Sequence, residues 1–338
     1  MAFRLSGGMI APLDSTALGD LREALPQFAH LPLAHLYDLS SERRQAYWLD
    51  EITQSLVNES SIAFVSIVSG TINGFIVYND APWDTEITGR RIGTVEHIAV
   101  EAGDDSGTEI LQPLLDALMR SLADRETQCV VCKVHSNELP TIHALEQRGF
   151  LLMDTLLDFV FDFSRTPIEE INPPRRDEQL KIRRAKPADL SALMAINEKA
   201  FTDYFGRYHA DPQMPPGTAT KIYAQWVRSA FQGWADWILV AEVAGRIVGY
   251  GLWRKPLEIE AKNSLSVAHY DLAAIDPEFL GRGLWTALMF DGMNIARNYA
   301  QYLVGPVHVC NYPVQHTLQK LGWRVSGTRH SFHNWLQE

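Results

Sequence analysis

The stretch DPEFLGRGLWTALMF, residues 276–290, sets Gly281-Arg282-Gly283 at the head of a periodic apolar segment. A glycine turn that opens a helix leaves backbone N–H groups unpaired, and such groups bind phosphate. Arg282 adds a positive charge beside them, and Leu280, Leu284 and Trp285 complete the turn. Trp285 stands where a phosphate cradle calls for a small residue. On its own so short a glycine motif is equally a turn that only packs a helix. Just upstream, AHYDLAAI reads as a strand, and a period of two puts His269, Asp271, Ala273 and Ile275 on one face. A histidine with an ordinary pKa of about 6.5 is suited to take a proton from an ammonium group, directly or through water. Asp271 could orient it or hold a substrate.

The cysteines carry less. Cys129 and Cys132 form a C-x-x-C inside QCVVCKV, a strand-like run. Residues three apart on a strand face opposite sides, and no second Cys/His pair stands at zinc spacing. Both are therefore expected in the core, and no metal is expected. Cys310, at the end of the alternating VHVC, is read as core too. His330 and His333, three apart on a strand, do not make a metal pair.

The whole chain bounds these readings. Its 338 residues suit two domains of the usual size, roughly 100–200 residues each. With 46% hydrophobic and 21% charged residues, a globular core is expected. The net charge of −11, without basic blocks, argues against nucleic acid or an anionic membrane as partner. It does not argue against an anionic small ligand, because a helix terminus acts locally. No run approaches the roughly 20 apolar residues of a membrane span. The opening MAFRLSGGMIAPLDS has no long apolar region, and cysteines are few, so a cytoplasmic protein is expected.

The same plan occurs twice. TIHALEQRGFLLMDTLLDFVFDF and VQHTLQKLGWRVSGTRHSFHNWL both read helix, Gly-aromatic, strand. His143 and His316, and Leu145 and Leu318, hold matching places before Gly149 and Gly322, which are 173 residues apart. That period is domain-sized and indicates a tandem duplication. Upstream, GTVEHIAVEAGDDSGTEILQPLLDALMRSLAD matches VAHYDLAAIDPEFLGRGLWTALMFDGMNIARN in order, and each follows a pair of strands around a glycine turn. Helices are predicted over about 41–57, 187–202 and 219–232. The order per half is helix-helix-strand-strand-strand-helix-strand-helix-strand, an α/β (α+β) domain with a mixed sheet. The Pro- and charge-rich FSRTPIEEINPPRRDEQLK sets a linker at 164–180, between domains 1–163 and 181–338.

This order, with AAIDPEFLGRGLW and NYPVQHTLQKLGW, resembles the GNAT superfamily of acetyl-coenzyme-A-dependent N-acyltransferases, with one such domain in each half. The resemblance implies that Leu280, Gly281, Arg282, Gly283, Leu284 and Trp285 hold the coenzyme A pyrophosphate. It implies that Ala274 and Ile275 close the strand before that turn, with the Ile275 N–H as oxyanion donor. Asn311 would contact the pantetheine arm. Leu280 and Trp285 depart from the family's usual Arg/Gln and Gly/Ala, and Leu318 replaces the tyrosine that commonly protonates the thiolate. Tyr312 and His316, on one helix face, are the other candidate acids, besides water. In family members with a known base, acidic or His residues stand where this chain has Asp271 and His269.

TKIYAQWVRSAFQGWADWILVAE, WDTEITGRRIG, GFLLMDTLLDFVFDF and HSFHNWL are further similar to GNATs that acetylate nucleotide-linked amino sugars, such as dTDP-fucosamine acetyltransferase. That resemblance implies a degenerate first half, a working second half and a small-molecule amine acceptor. A homodimer is compatible with it. The acceptor wall would come from FTDYFGRYHADPQMPPG and the following helix, where Tyr204, Arg207, Tyr208, His209, Tyr223 and Trp226 could stack a base or hold phosphate. Arg207 best suits a diphosphate, whereas Tyr223 and Trp226 are equally core residues at helical spacing. In the first half Asp104, Asp105 and Glu109 crowd the matching turn, where they would repel pyrophosphate. Alternatives are a mycothiol-synthase-like enzyme, an acyltransferase of peptides or small amines, and a non-catalytic acyl-CoA-binding module.

Overall fold

The computed structural model describes residues 3–5, 8–28, 30–34, 36, 38–101, 107–176, 178–202 and 204–336. The chain forms two compact units, residues 1–155 with 328–338, and residues 156–327.

In the first unit β1 (Phe3–Leu5), β2 (Gly8–Pro12), β3 (Ile62–Val68), β4 (Thr71–Asp80), β5 (Ile92–Val100) and β6 (Cys129–His135) lie side by side in sequence order. They are antiparallel except for the parallel pair β5–β6. The chain continues through β7 (Leu151–Asp162), β8 (Leu180–Arg184), β9 (Trp237–Val243), β10 (Arg246–Arg254), β11 (Val267–Ile275), β12 (Tyr302–His308) and β13 (Arg324–Trp335). In the second unit the order is β8-β9-β10-β11-β12-β7, again antiparallel except for the parallel pair β11–β12.

Local chemistry accounts for the repeated pieces. The hairpin loops Ser69-Gly70 and Ala244-Gly245 have positive φ at both residues, as a two-residue turn of primed type requires. The predicted helices are present as Ser41–Leu56, Leu190–Phe201 and Thr218–Ser229. Ser40 caps the first by accepting from the Arg43 N–H at 3.4 Å. The expected order lacked β1, β2 and β8, the strands with which the units begin, and the short helices Pro82–Thr88 and Glu258–Lys262. GMIAP and LKIRR are too short to announce a strand by pattern alone; pairing with β3 and β9 makes them strands. Cys129 and Cys132 are both buried. Among the described residues no helix is long and apolar enough to cross a membrane.

The second unit packs helices on both faces of its sheet. The Leu284–Ala296 helix and Leu318, Trp323, Trp237 and Trp253 fill one face. The Leu190–Phe201 and Thr218–Ser229 helices cover the other, against Val240, Tyr250, Leu252 and Leu272.

The limits 1–163 and 181–338 follow the sequence repeat, but the final strands are exchanged across them. Residues 156–162 of β7 pair with β12, and residues 329–335 of β13 pair with β6. The two segments hold equivalent places in the repeat, 173 residues apart. Phe332, on the exchanged part of β13, is 1% exposed within the first unit's core. Phe332→Ala is therefore expected to destabilise the first unit by about 3–5 kcal/mol. Hydrogen exchange should show lost protection in β6, with the Leu284–Ala296 helix unchanged; equal loss in both would refute the assignment.

Candidate active site

The site is built on β11 and its neighbours. Leu252 pairs with Leu272 and Trp253 with Tyr270, so Asp271 is an extra residue opposite one step of β10. This is a β-bulge, and it reverses which side chains face which way. Ala268 and Tyr270 pack with the Leu284–Ala296 helix, and beyond the bulge so do Ala273 and Ile275. Leu272 and Ala274 pack on the opposite face. The expectation that His269 shares a face with Ala273 and Ile275 is thus corrected; strict period two fails at Asp271.

The parallel strands then part. β11 and β12 pair at Val267–Tyr302, Ala268–Leu303 and His269–Val304, and at no later pair although both strands continue. At the fork a Cβ on Gly305 would lie 2.6 Å from the Tyr270 ring. The Asp276 N–H donates to the Val248 carbonyl at 2.8 Å on the β10 side. Backbone groups alternate along an antiparallel strand, so the Ile275 N–H faces the gap left by β12.

The glycine turn lies immediately beyond. Gly281 and Gly283 have φ of 76° and 74°, and a Cβ on either would meet open space. Gly283 is the N-cap of the Leu284–Ala296 helix and supplies no side-chain cap. Leu280, Gly281, Arg282 and Gly283 are exposed, so the first N–H groups of the helix open toward solvent. The Arg282 guanidinium stands 4.7 Å above the Phe279 ring. Trp285 turns into the protein: its ring meets Tyr270 edge-on at 6.1 Å, and its indole bonds the Tyr270 phenol. Asp276 is held below the usual carboxylate range. Burial pushes it up, but the Glu278 N–H, Lys199 and Arg246 outweigh burial.

His269 and Asp271 have separate partners. His269 Nε2 lies 2.9 Å from both carboxylate oxygens of Glu260. Asp271 instead accepts two bonds from Arg254, at 2.9 and 2.7 Å, so it does not orient His269. Arg254 also stacks on Trp234 at 4.5 Å. Glu260 and Arg254 were not found from sequence. Glu260 sits in a five-residue helix nine positions before His269, and only tertiary docking joins them.

Asn311 precedes the Tyr312–Lys320 helix, on which Tyr312 and His316 are exposed and Leu318 is fully buried. Cys310 is exposed, against the expectation of a core position. The strand stops at His308, whose carbonyl and Nδ1 accept from the Asn311 and Cys310 N–H groups and close a turn. Of the acceptor-wall candidates, Tyr223 is buried and stacks on Phe201 at 4.1 Å. Tyr204 meets Tyr223 edge-on, and Trp226 is half-buried on the same cluster. Arg207 stacks on Tyr208 at 4.4 Å and bonds its hydroxyl, while His209 Nε2 lies 3.1 Å from the Phe201 carbonyl. The exposed Phe205 stacks on His308.

The first unit repeats the frame without these side chains. β5 and β6 pair from Ile92–Cys129 to Val95–Cys132 and then part, and Glu96 is the bulged residue. Where the second unit has Arg254 opposite His269, the first has Asn79 opposite Thr94. Its helix is shut against its neighbour: a Cβ on Gly107 would lie 2.8 Å from Pro140, and Thr108 donates to the Pro140 carbonyl at 3.2 Å. Glu109 lies in the first turn of that helix. Asp104 and Asp105 lie outside the described residues. Glu138, at the position of Asn311, is pushed up by burial to about 7. Burial holds His97 down at about 4, where it accepts from the Trp48 indole at 3.1 Å. A depressed histidine is neutral in the folded state and protonates first in the unfolded one. The first unit should therefore lose stability as pH falls from about 6.5 to about 4. His97→Gln should flatten that part of a denaturation-versus-pH curve; an unchanged slope would exclude His97 as its source.

Residues 194–323 match the model of the acetyltransferase (GNAT) family. Over 217 residues the chain is 23% identical to the spore coat polysaccharide biosynthesis protein SpsD of Bacillus subtilis, covering 62% of this chain and 66% of that protein. The fold is similar to a GCN5-related N-acetyltransferase from Sphaerobacter thermophilus, with TM-score 0.63, 13% identity, and 99% and 98% of the two chains covered. It is also similar to a tandem GNAT protein from the clavulanic acid biosynthesis pathway, with TM-score 0.58, 10% identity, and coverage of 98% and 99%.

Proposed function

We propose that this chain, whose residues 194–323 match the acetyltransferase (GNAT) family, transfers the acetyl group of acetyl-CoA to the amino group of a nucleotide-linked amino sugar. The observation that carries this reading is the uncapped turn Leu280–Trp285, open to solvent directly beyond the forked strands. Unpaired N–H groups of Leu284 and Trp285, with Arg282 beside them, suit a pyrophosphate. The gap edge of β11, including the Ile275 N–H, suits an extended amide chain and the oxygen on which charge develops during acyl transfer. Asn311 stands at the end of the opposite edge. Acetyl-CoA supplies the thioester; the chain's own residues bind it, exclude water and move protons.

His269 takes the proton of the acceptor ammonium, leaving a neutral amine to attack. Leu318 is buried and carries no proton to give. Tyr312 and His316, exposed on that helix, are proposed as the side chains that protonate the departing thiolate, with solvent as the third source. Arg207, Tyr208 and His209, with Phe205, form the aromatic and cationic group proposed to receive the acceptor, and Tyr223, buried on Phe201, supports them from the core. The sugar acceptor is supported by a relative named for polysaccharide biosynthesis. The first unit, with its helix shut on Pro140, is assigned a structural role.

Gly283→Ala forces a side chain into a left-handed position, a strain of about 1–3 kcal/mol. Acetyl-CoA affinity, read by calorimetry, is expected to fall about tenfold, and an unchanged affinity would remove the turn from the site. Thiol release from acetyl-CoA should depend on a nucleotide-linked amino sugar and fall sharply with the matching free amino sugar. Equal rates with both would exclude the nucleotide from recognition.

A further inference from the structure

We infer that Glu260 is the positioning residue for His269: its buried carboxylate fixes the imidazole in the Nε2-protonated tautomer and steadies the imidazolium formed when Nδ1 accepts a proton. The inference rests on the reading of His269 as the base.

Glu260 is 2% exposed, and a buried carboxylate persists only where donors meet it. Two do. The Leu257 N–H donates to Oε2 at 2.6 Å, and His269 Nε2 lies 2.9 Å from each oxygen. An ionised carboxylate can only accept, so the hydrogen resides on Nε2 and the lone pair on Nδ1. When Nδ1 takes a proton from the acceptor ammonium, the N–H bond of the substrate breaks, a neutral amine remains, and the new positive charge sits against Glu260. The same logic orients catalytic histidines elsewhere through a carboxylate on the far nitrogen.

The surroundings leave Glu260 as the anion that acts on the ring. From β10, Arg254 is the register partner of His269, but its guanidinium is held by both oxygens of Asp271 and by Trp234. Asp271, on the same strand as His269, is thereby neutralised. From β12 the partner is Val304, which carries no charge. From the Glu258–Lys262 helix comes Glu260 itself. The pair stands at the last paired rung before β11 and β12 fork, at the mouth of the gap. In the first unit, where the helix is shut, Thr94 replaces the histidine and no such pair can form.

Glu260 also caps its own short helix through Leu257, so the test must separate orientation from folding. The full chain, labelled with 15N-histidine, is titrated by NMR as wild type, Glu260→Gln and Glu260→Asp. The wild type should show His269 protonated on Nε2. Glu260→Gln keeps the shape and removes the charge, and should lower the His269 pKa by about one unit, tenfold in proton affinity. The acid limb of kcat/KM, with acetyl-CoA and the nucleotide-linked amino sugar as probes, should move to lower pH by the same amount. KM for acetyl-CoA should not change, and Glu260→Asp should restore part of the shift. A cap alone would change thermal stability and leave the limb in place. A wild-type ring protonated on Nδ1, or the same titration in all three proteins, overturns the inference. His269→Gln at full turnover overturns the reading beneath it; an inactive His269→Gln with an unshifted Glu260→Gln overturns the inference alone.

Discussion

The second unit depends on one steric conflict, that between Tyr270 and β12. The strands run parallel for three rungs, and then the Tyr270 ring and carbonyl come within 2.6 and 3.0 Å of where a Cβ on residue 305 would stand. Glycine lets β12 pass, but beyond this point the ladder does not re-form. Tyr270 cannot yield, because Trp253 at 6.0 Å and Trp285 at 6.1 Å hold it from behind. Burial keeps its phenol protonated far above neutral pH, so it braces without titrating. Trp285, out of place in a phosphate-binding turn, is thus explained by what lies beneath the turn. It couples the helix start to the wedge that opens the sheet.

The bulge at Asp271 follows one residue later and has a different effect. It lets β11 keep pairing with β10 while its faces trade places. His269 and Ile275 can therefore serve opposite tasks on one strand. One meets a buried carboxylate, and the other presents its backbone to the gap. Both units have the fork and the bulge, and they diverge in side chains. Thr94 and Asn79 stand where His269 and Arg254 stand, and Gly107 closes on Pro140 where Gly281 and Gly283 stay open. The same backbone frame thus carries two different sets of side chains.

What was legible in the sequence was local. Glycine pairs marked the hairpins, apolar periodicity marked the helices, and the 173-residue spacing of Gly149 and Gly322 marked the duplication. The turn around Gly281 was visible because its backbone chemistry depends on residue type. The illegible parts depend on contacts remote in the chain. A bulge is chosen by the neighbouring strand, and nothing in HYDLA records it. Glu260 meets His269 only after a short helix docks. Cys310 looked like a continuing strand because VHVC alternates, yet two bonds to His308 end the strand first. The strand exchange is invisible for a stricter reason: the segments 156–162 and 329–335 are equivalents, so pattern alone cannot say which partner each takes.

That exchange sets a timetable for synthesis. Domains generally fold as they leave the ribosome, the earlier one first. Here β6 must wait for Arg329–Trp335, which emerge only after the whole of residues 156–327. The second unit has its own last strand, residues 156–162 of β7, in hand before its first helix is made. The half translated first is the half completed last, and a nascent chain passes through a stage in which the second unit is whole while the first still shows an open edge.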